Sequence, residues 1–147
     1  MITTPTDPTL TDSMKQRFCH LVDDWARLDT GAQRAQWLID SHRLRNQFNA
    51  MFQSVLGDFD RNQDYKAVGA LSIVPWMAWK LHLNPYDAKR LSATARRLPD
   101  NPLAEEALQQ GDITLDAAIR ISQTMEEIGG NEAALRFADE QGELPPS

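Results

Sequence analysis

The sequence is poor in the residues that announce a chemistry. It has one cysteine, Cys19, so no internal disulfide can form and nothing requires an oxidising compartment. Its three histidines, His20, His42 and His82, fall in three separate predicted elements. None belongs to an HExxH pattern or to a Cys/His spacing suited to zinc. There is no glycine-rich phosphate loop and no GxSxG nucleophile turn. No apolar run approaches the roughly 18 residues that a membrane span requires. The opening MITTPTDPTL has no positive region followed by an apolar one, so secretion is not signalled and a cytoplasmic location is expected. No segment alternates polar and apolar residues over the length of a strand. These absences leave an all-α chain for which no catalytic residue, metal or cofactor is nominated, and a non-enzymatic protein is expected.

What is present is enough for one domain. At 147 residues and 41% hydrophobic, the chain can bury roughly 68–70% of its unfolded surface without metals or disulfides. Residues 1–11, with two prolines and several threonines, read as a disordered lead-in, residues 12–140 as a single helical domain and residues 141–147 as a frayed tail. From Thr11 or Asp12, Met14, Phe18, Leu21, Val22, Trp25 and Leu28 keep the spacing of one helical face, and Gly31 ends the run. A second helix is predicted from Gln33 to Leu56, with Ala35, Leu38, Ile39, Phe48, Met51, Phe52, Val55 and Leu56 turned inward. Together they make a hairpin whose core anchors are Trp25 and Trp37. Cys19 and His20 point about 100° apart on a helix and cannot meet as nucleophile and base, so Cys19 reads as a small buried side chain. Residues 57–69 are polar and follow neither period, which predicts a loop. Asp58, Asp60 and Asp64 there could donate oxygens, but the central glycine and distal glutamate of a calcium loop are missing.

The middle of the chain carries its only concentrated positive charge. Ser72 and Asn84 each stand before a helical run, and Asn84 is followed by Pro85, which is preorganised for a first turn. A helix, short turn, helix arrangement follows, the second helix running from Pro85 to Leu98. On it Ala88, Leu91, Ala95 and Leu98 share one face, and Tyr86, Lys89, Arg90, Ala93, Arg96 and Arg97 share the other. The whole chain is acidic, with a net charge of −6, yet residues 80–97 hold Lys80 and these four cations against Asp87 alone. Residues 100–147 then hold 2 basic and 11 acidic side chains. Further helices are predicted from Asn101-Pro102 to Gly111, with Leu103, Ala104, Ala107 and Leu108 on one face, and from Thr114 to Gly129-Gly130, with Ala118, Ile121, Met125 and Ile128 as the stripe. Asn131 opens a last weak helix. Trp76 and Trp79, at i and i+3, are expected in the core, and the glutamate pairs at 105–106 and 126–127 on helix surfaces.

The order of residues over about 20–125 resembles an actinobacterial family, domain of unknown function 222, also called the 13E12 repeat family. The resemblance is carried by Gly69 and Ser72 ahead of Trp76-Met77-Ala78, by Leu83-Asn84-Pro85 with Ala88-Lys89-Arg90, by Leu98 and Pro102, and by Ala107-Leu108, Gly111-Asp112-Ile113 and Ala117-Ala118 before Ile121. Members carry this helical domain in front of an HNH endonuclease module. No such module lies within these residues, so no catalytic role is carried over, and the resemblance assigns no functional residue to the helical domain.

Two functions are therefore expected in competition. In the first, a helix-turn-helix-like pair presents Tyr86, Lys89, Arg90, Arg96 and Arg97 to double-stranded DNA, and neutralising four phosphates gives a log-log salt slope of about −3.6. In the second, the chain is a protein-interaction module, or a remnant of a nuclease gene. Its helices then serve a partner and its acidic end repels DNA; if that end packs beside the basic face, the two pair and no cationic surface remains.

Overall fold

A computed structural model describes residues 8–140, with side chains over residues 9–129. Among these residues there are six α-helices and no strand: α1 (Pro8–Asp24), α2 (Gly31–Arg61), α3 (Ile73–Lys80), α4 (Pro85–Arg97), α5 (Pro102–Gln109) and α6 (Leu115–Glu140). Short 3-10 turns follow α1 (Trp25–Arg27), α2 (Asp64–Val68) and α4 (Leu98–Asp100). The all-α expectation holds.

Local chemistry sets most of the boundaries. Thr30 begins α2 with a reciprocal cap, its hydroxyl accepting from the Gln33 backbone N–H at 3.1 Å while the Gln33 side-chain Oε1 accepts from the Thr30 N–H at 3.1 Å. Asn84 begins α4, its side chain accepting from the Asp87 N–H at 2.8 Å, with Pro85 in the first turn. Thr114 begins α6 by accepting from the Ala117 N–H at 3.1 Å. Gly111 ends the α5 segment with a φ of +79°, a left-handed conformation open to glycine at little cost. The N–H groups of Gly111 and Asp112 donate to the carbonyls of Leu108 and Ala107, both at 2.9 Å. Ser72 occupies the cap position of α3, but its side chain makes no cap bond.

Helix α2 is the spine. It packs against α1, α4, α5 and α6, and α4 in turn lies between α2, α3 and α6. One core cluster joins Leu56, Tyr65, Ile73, Met77, Ala88 and Ala95; a second joins Ala50, Leu98, Ala104, Leu108 and Ala118. The two meet across the α2–α4 crossing, where a Cβ placed on Gly57 would lie 3.3 Å from the Ala95 carbonyl oxygen. Small residues at that crossing let two backbones approach closely. Gln53 is buried there at 2% exposure, with neither amide atom hydrogen-bonded within the chain. A cavity of about 20 Å³ adjoins it.

Several expectations are corrected. Helix α1 starts at Pro8, ahead of Thr11; residues 1–7 and 141–147 of the proposed lead-in and tail lie outside the described residues. Helix α2 continues to Arg61, so residues 57–61 of the expected loop are helical and Asp64–Val68 form a 3-10 turn. Gly57 does not stop α2, because the glycine is needed for its close approach to α4 rather than for a turn. Helix α6 is continuous through Gly129 and Gly130, where a stop and a new start at Asn131 were expected. Two glycines in a row cost a helix about 1 kcal/mol each relative to alanine, a penalty that the neighbouring helix formers outweigh. Cys19 is exposed.

The largest correction concerns the hairpin. Met14 is buried and Trp37 half-buried, its indole N–H donating to the Leu21 carbonyl at 2.9 Å, but Trp25 is 69% exposed. Phe18, Val22, Leu38, Ile39, Phe48 and Val55 are exposed too. The physical reason is layer count: α1 covers one flank of α2, α4, α5 and α6 cover another, and among the described residues no element covers the rest. Similarly Trp79 is exposed, with the Lys80 ammonium 3.9 Å from its ring centroid, while Trp76 is half-buried against Phe59 at 4.4 Å between centroids. In α6 it is Ala118, Ile119 and Ser122 that face inward, and Ile121, Met125 and Ile128 are exposed. Leu103 is exposed, leaving Ala104 and Leu108 as the buried contacts of α5.

Candidate functional site

The sequence directs attention first to α4. Its apolar face forms as expected, with Ala88, Ala95 and Leu98 buried and Leu91 half-buried, and Ser92 and Thr94 join them. Both hydroxyls are satisfied inside the helix, Ser92 donating to the Lys89 carbonyl at 3.1 Å and Thr94 to the Arg90 carbonyl at 2.8 Å. The opposite face is basic in composition, but its arginines are engaged. Arg96 Nε donates to Asp60 of α2 at 2.7 Å. Arg90 pairs with Asp116 of α6 at 3.3 Å, and Arg97 pairs with Glu126, also of α6. The hydrogen bond that Arg96 donates to Asp60 raises the pKa of the guanidinium above its ordinary value against an opposing effect of burial. Tyr86 and Lys89, near the start of α4, are exposed. The structure therefore separates the five expected DNA-contacting residues. Tyr86 and Lys89 stand outward, and the three arginines bridge α4 to its neighbours.

The acidic end that was expected to repel DNA contributes to this. Asp116 and Glu126 both come from the segment with 2 basic and 11 acidic residues, and α6 lays them beside α4. Asp58 and Asp60, two of the oxygen donors in the acidic stretch, are ion-paired to Arg61 and Arg96. Among the described residues no three His, Cys, Asp or Glu side chains gather as a metal site. His20, His42 and His82 are all exposed. The cavity beside Gln53 has room for about one water and none for a substrate.

A second site was not expected. Along the seam of α1 and α2 two apolar hollows open to the surface. One, of about 680 Å³, is lined by Met14, Lys15, Phe18, Leu44, Phe48 and Met51 among others. The other, of about 330 Å³, is lined by Leu21, Val22, Trp25 and Trp37. They share Phe18, Leu44 and Arg45, so they form one groove. From Thr11 to Trp25 it follows α1 for about 21 Å, or four helical turns, at 1.5 Å per residue.

The groove's exposed walls have a register. Along α1 and into the 3-10 turn after it, the half-buried Thr11 and the exposed Lys15, Phe18, Val22 and Trp25 alternate steps of four and three residues. On α2, Ser41, Arg45 and Phe48 line the groove at steps of four and three, and the exposed Leu38, Phe52 and Val55 continue that spacing beyond it. That alternation is the seam spacing of helices that pack side by side with a small crossing angle. A signal for this did exist in the sequence. The inward set assigned to α2 spans about 240° of the helix circumference at 100° per residue, too wide for one covered face.

No helix among the described residues is long and apolar enough to cross a membrane. Compared with known proteins, the chain matches no family model, no curated protein and no solved structure.

Proposed function

We propose that the chain is a non-enzymatic helical docking module, which binds a protein partner on the uncovered side of its α1–α2 hairpin. One observation carries this reading: the apolar seam of Phe18, Val22, Trp25 and Phe48 is exposed and continuous, while the arginines of α4 are ion-paired within the chain. Monomeric soluble proteins rarely expose contiguous apolar patches of more than a few hundred Å² without using them. Aromatic residues at such patches supply most of the binding energy in protein interfaces. The resemblance to the domain that precedes HNH endonuclease modules fits a role in assembly, in which another module performs the chemistry.

DNA association through α4 stays as the second reading. What favours it is the exposure of Tyr86 and Lys89 at the start of a helix that follows a short turn. Exposed ion pairs are worth only about 0–1 kcal/mol, so Arg90 can exchange the exposed Asp116 for a phosphate. One experiment separates the two. A labelled 20–30 base-pair duplex is titrated with wild type, with Arg96→Glu/Arg97→Glu and with Phe18→Asp/Phe48→Asp, at two salt concentrations, by fluorescence anisotropy. Under the docking reading no variant binds the duplex measurably, even at low salt. Binding with a log-log slope near −3.6 that is lost only in the arginine double variant refutes docking as the main role and assigns function to α4.

A further inference from the structure

The charge of the groove narrows the partner. Among the residues that line both hollows the only ionisable side chains are Lys15 and Arg45; no aspartate or glutamate lines either one. Arg45 borders both hollows, at the middle of the groove. Neither cation is paired with an acid among the described residues, in contrast to Arg43, Arg61, Arg90, Arg96 and Arg97, each held by a carboxylate of this chain. In a chain of net charge −6, a mainly apolar groove whose only charged lining residues are unpaired cations is a local reversal of sign.

We infer that the α1–α2 groove receives an amphipathic helix of a partner protein, apolar along one stripe and acidic along its flanks. The inference rests on the docking reading above and specifies its occupant. Three observations fit together. The groove runs about four turns, enough for a helix whose stripe of anchors at i, i+3 or i+4, and i+7 takes about two turns and then repeats. The seam spacing on both walls matches that stripe, so Phe18, Val22, Trp25 and Phe48 interleave with it as in a three-helix layer. Lys15 and Arg45 then sit where the flanking carboxylates of such a helix come down, keeping their heads in water while their stems cover apolar surface. A second copy of this chain is a poorer occupant, because related by a two-fold axis it presents the same Lys15 and Arg45 to themselves.

The test uses the full chain and two synthetic 18-residue peptides with the same apolar stripe, one flanked by glutamates and one by lysines, each titrated by fluorescence anisotropy. The expected result is tighter binding of the acidic peptide by about tenfold or more at low salt, the preference shrinking as salt screens the pair. Lys15→Glu/Arg45→Glu should reverse the preference, and Phe18→Asp/Phe48→Asp should abolish binding of both peptides while far-ultraviolet circular dichroism stays helical. Equal affinity for the two peptides, lost in the Phe18/Phe48 variant, overturns the acidic partner and leaves the docking reading standing. So does a chain that sediments as a dimer that the same variant dissociates and that binds neither peptide. A monomer that binds neither peptide overturns both.

Discussion

Single residues decide two of the measurable properties of this molecule. Gly111 is the sharper case. Its φ of +79° is strained for any other residue, and a Cβ there would lie 2.6 Å from Arg43 Cγ and 2.9 Å from the Arg43 carbonyl oxygen. Backbone cannot move aside as a side-chain tip can. Gly111→Ala should therefore destabilise the protein by about 2–3 kcal/mol, through the left-handed conformation and the clash together, as measured by urea denaturation. Glu105 acts in the opposite direction. Partial burial on α5 raises its carboxyl pKa above the usual value, because desolvation penalises the charged form. The folded state then holds this proton more tightly than the unfolded state. The associated stability is fully present below pH 4.5, the ordinary value, and is lost as pH rises through the folded-state pKa. Glu105→Gln should be more stable than wild type at pH 7, and the difference should shrink as pH falls toward 4.5. A parallel pair of stability curves would sink that account.

At the scale of elements, what was legible in the sequence is what short-range chemistry determines. Asn84-Pro85, Asn101-Pro102 and Gly111 mark boundaries that the structure keeps, and Thr114 caps α6 as expected. The α4 cap can be weighed: Asn84→Ala removes the side-chain acceptor of the Asp87 N–H and should cost about 1 kcal/mol, read as a lower midpoint in urea with an unchanged slope. Less legible was anything decided by a distant neighbour. Gly57 looks like a stop and is a crossing point, since its meaning depends on Ala95, far along the chain. The hairpin's apolar residues have the spacing of a core, but periodicity identifies a face without saying whether anything covers it. Trp25 and Phe48 obey the helical period and stand in solvent all the same. The candidate site was illegible for the same reason. The basic face of α4 could be listed from helical angles, but its pairing with Asp60, Asp116 and Glu126 required knowing that α2 and α6 flank it.

At the scale of the whole molecule, the chain divides between a packed half and an open one. Both core clusters lie where α2 from Leu44 onward meets α3 to α6, whereas residues 31–43 of α2 contribute no buried side chain. The groove begins where the cores end. Because α2 runs as one helix through both halves, the spacing between them is built into its rise. Arg45 in the groove and Gly57 at the α4 crossing are separated by about 18 Å along the axis at 1.5 Å per residue, with no loop between them to flex. The molecule thus has the properties of a ruler: a helix seated on α1 and α2 is held at a set distance and bearing from α4, whatever α4 itself adjoins.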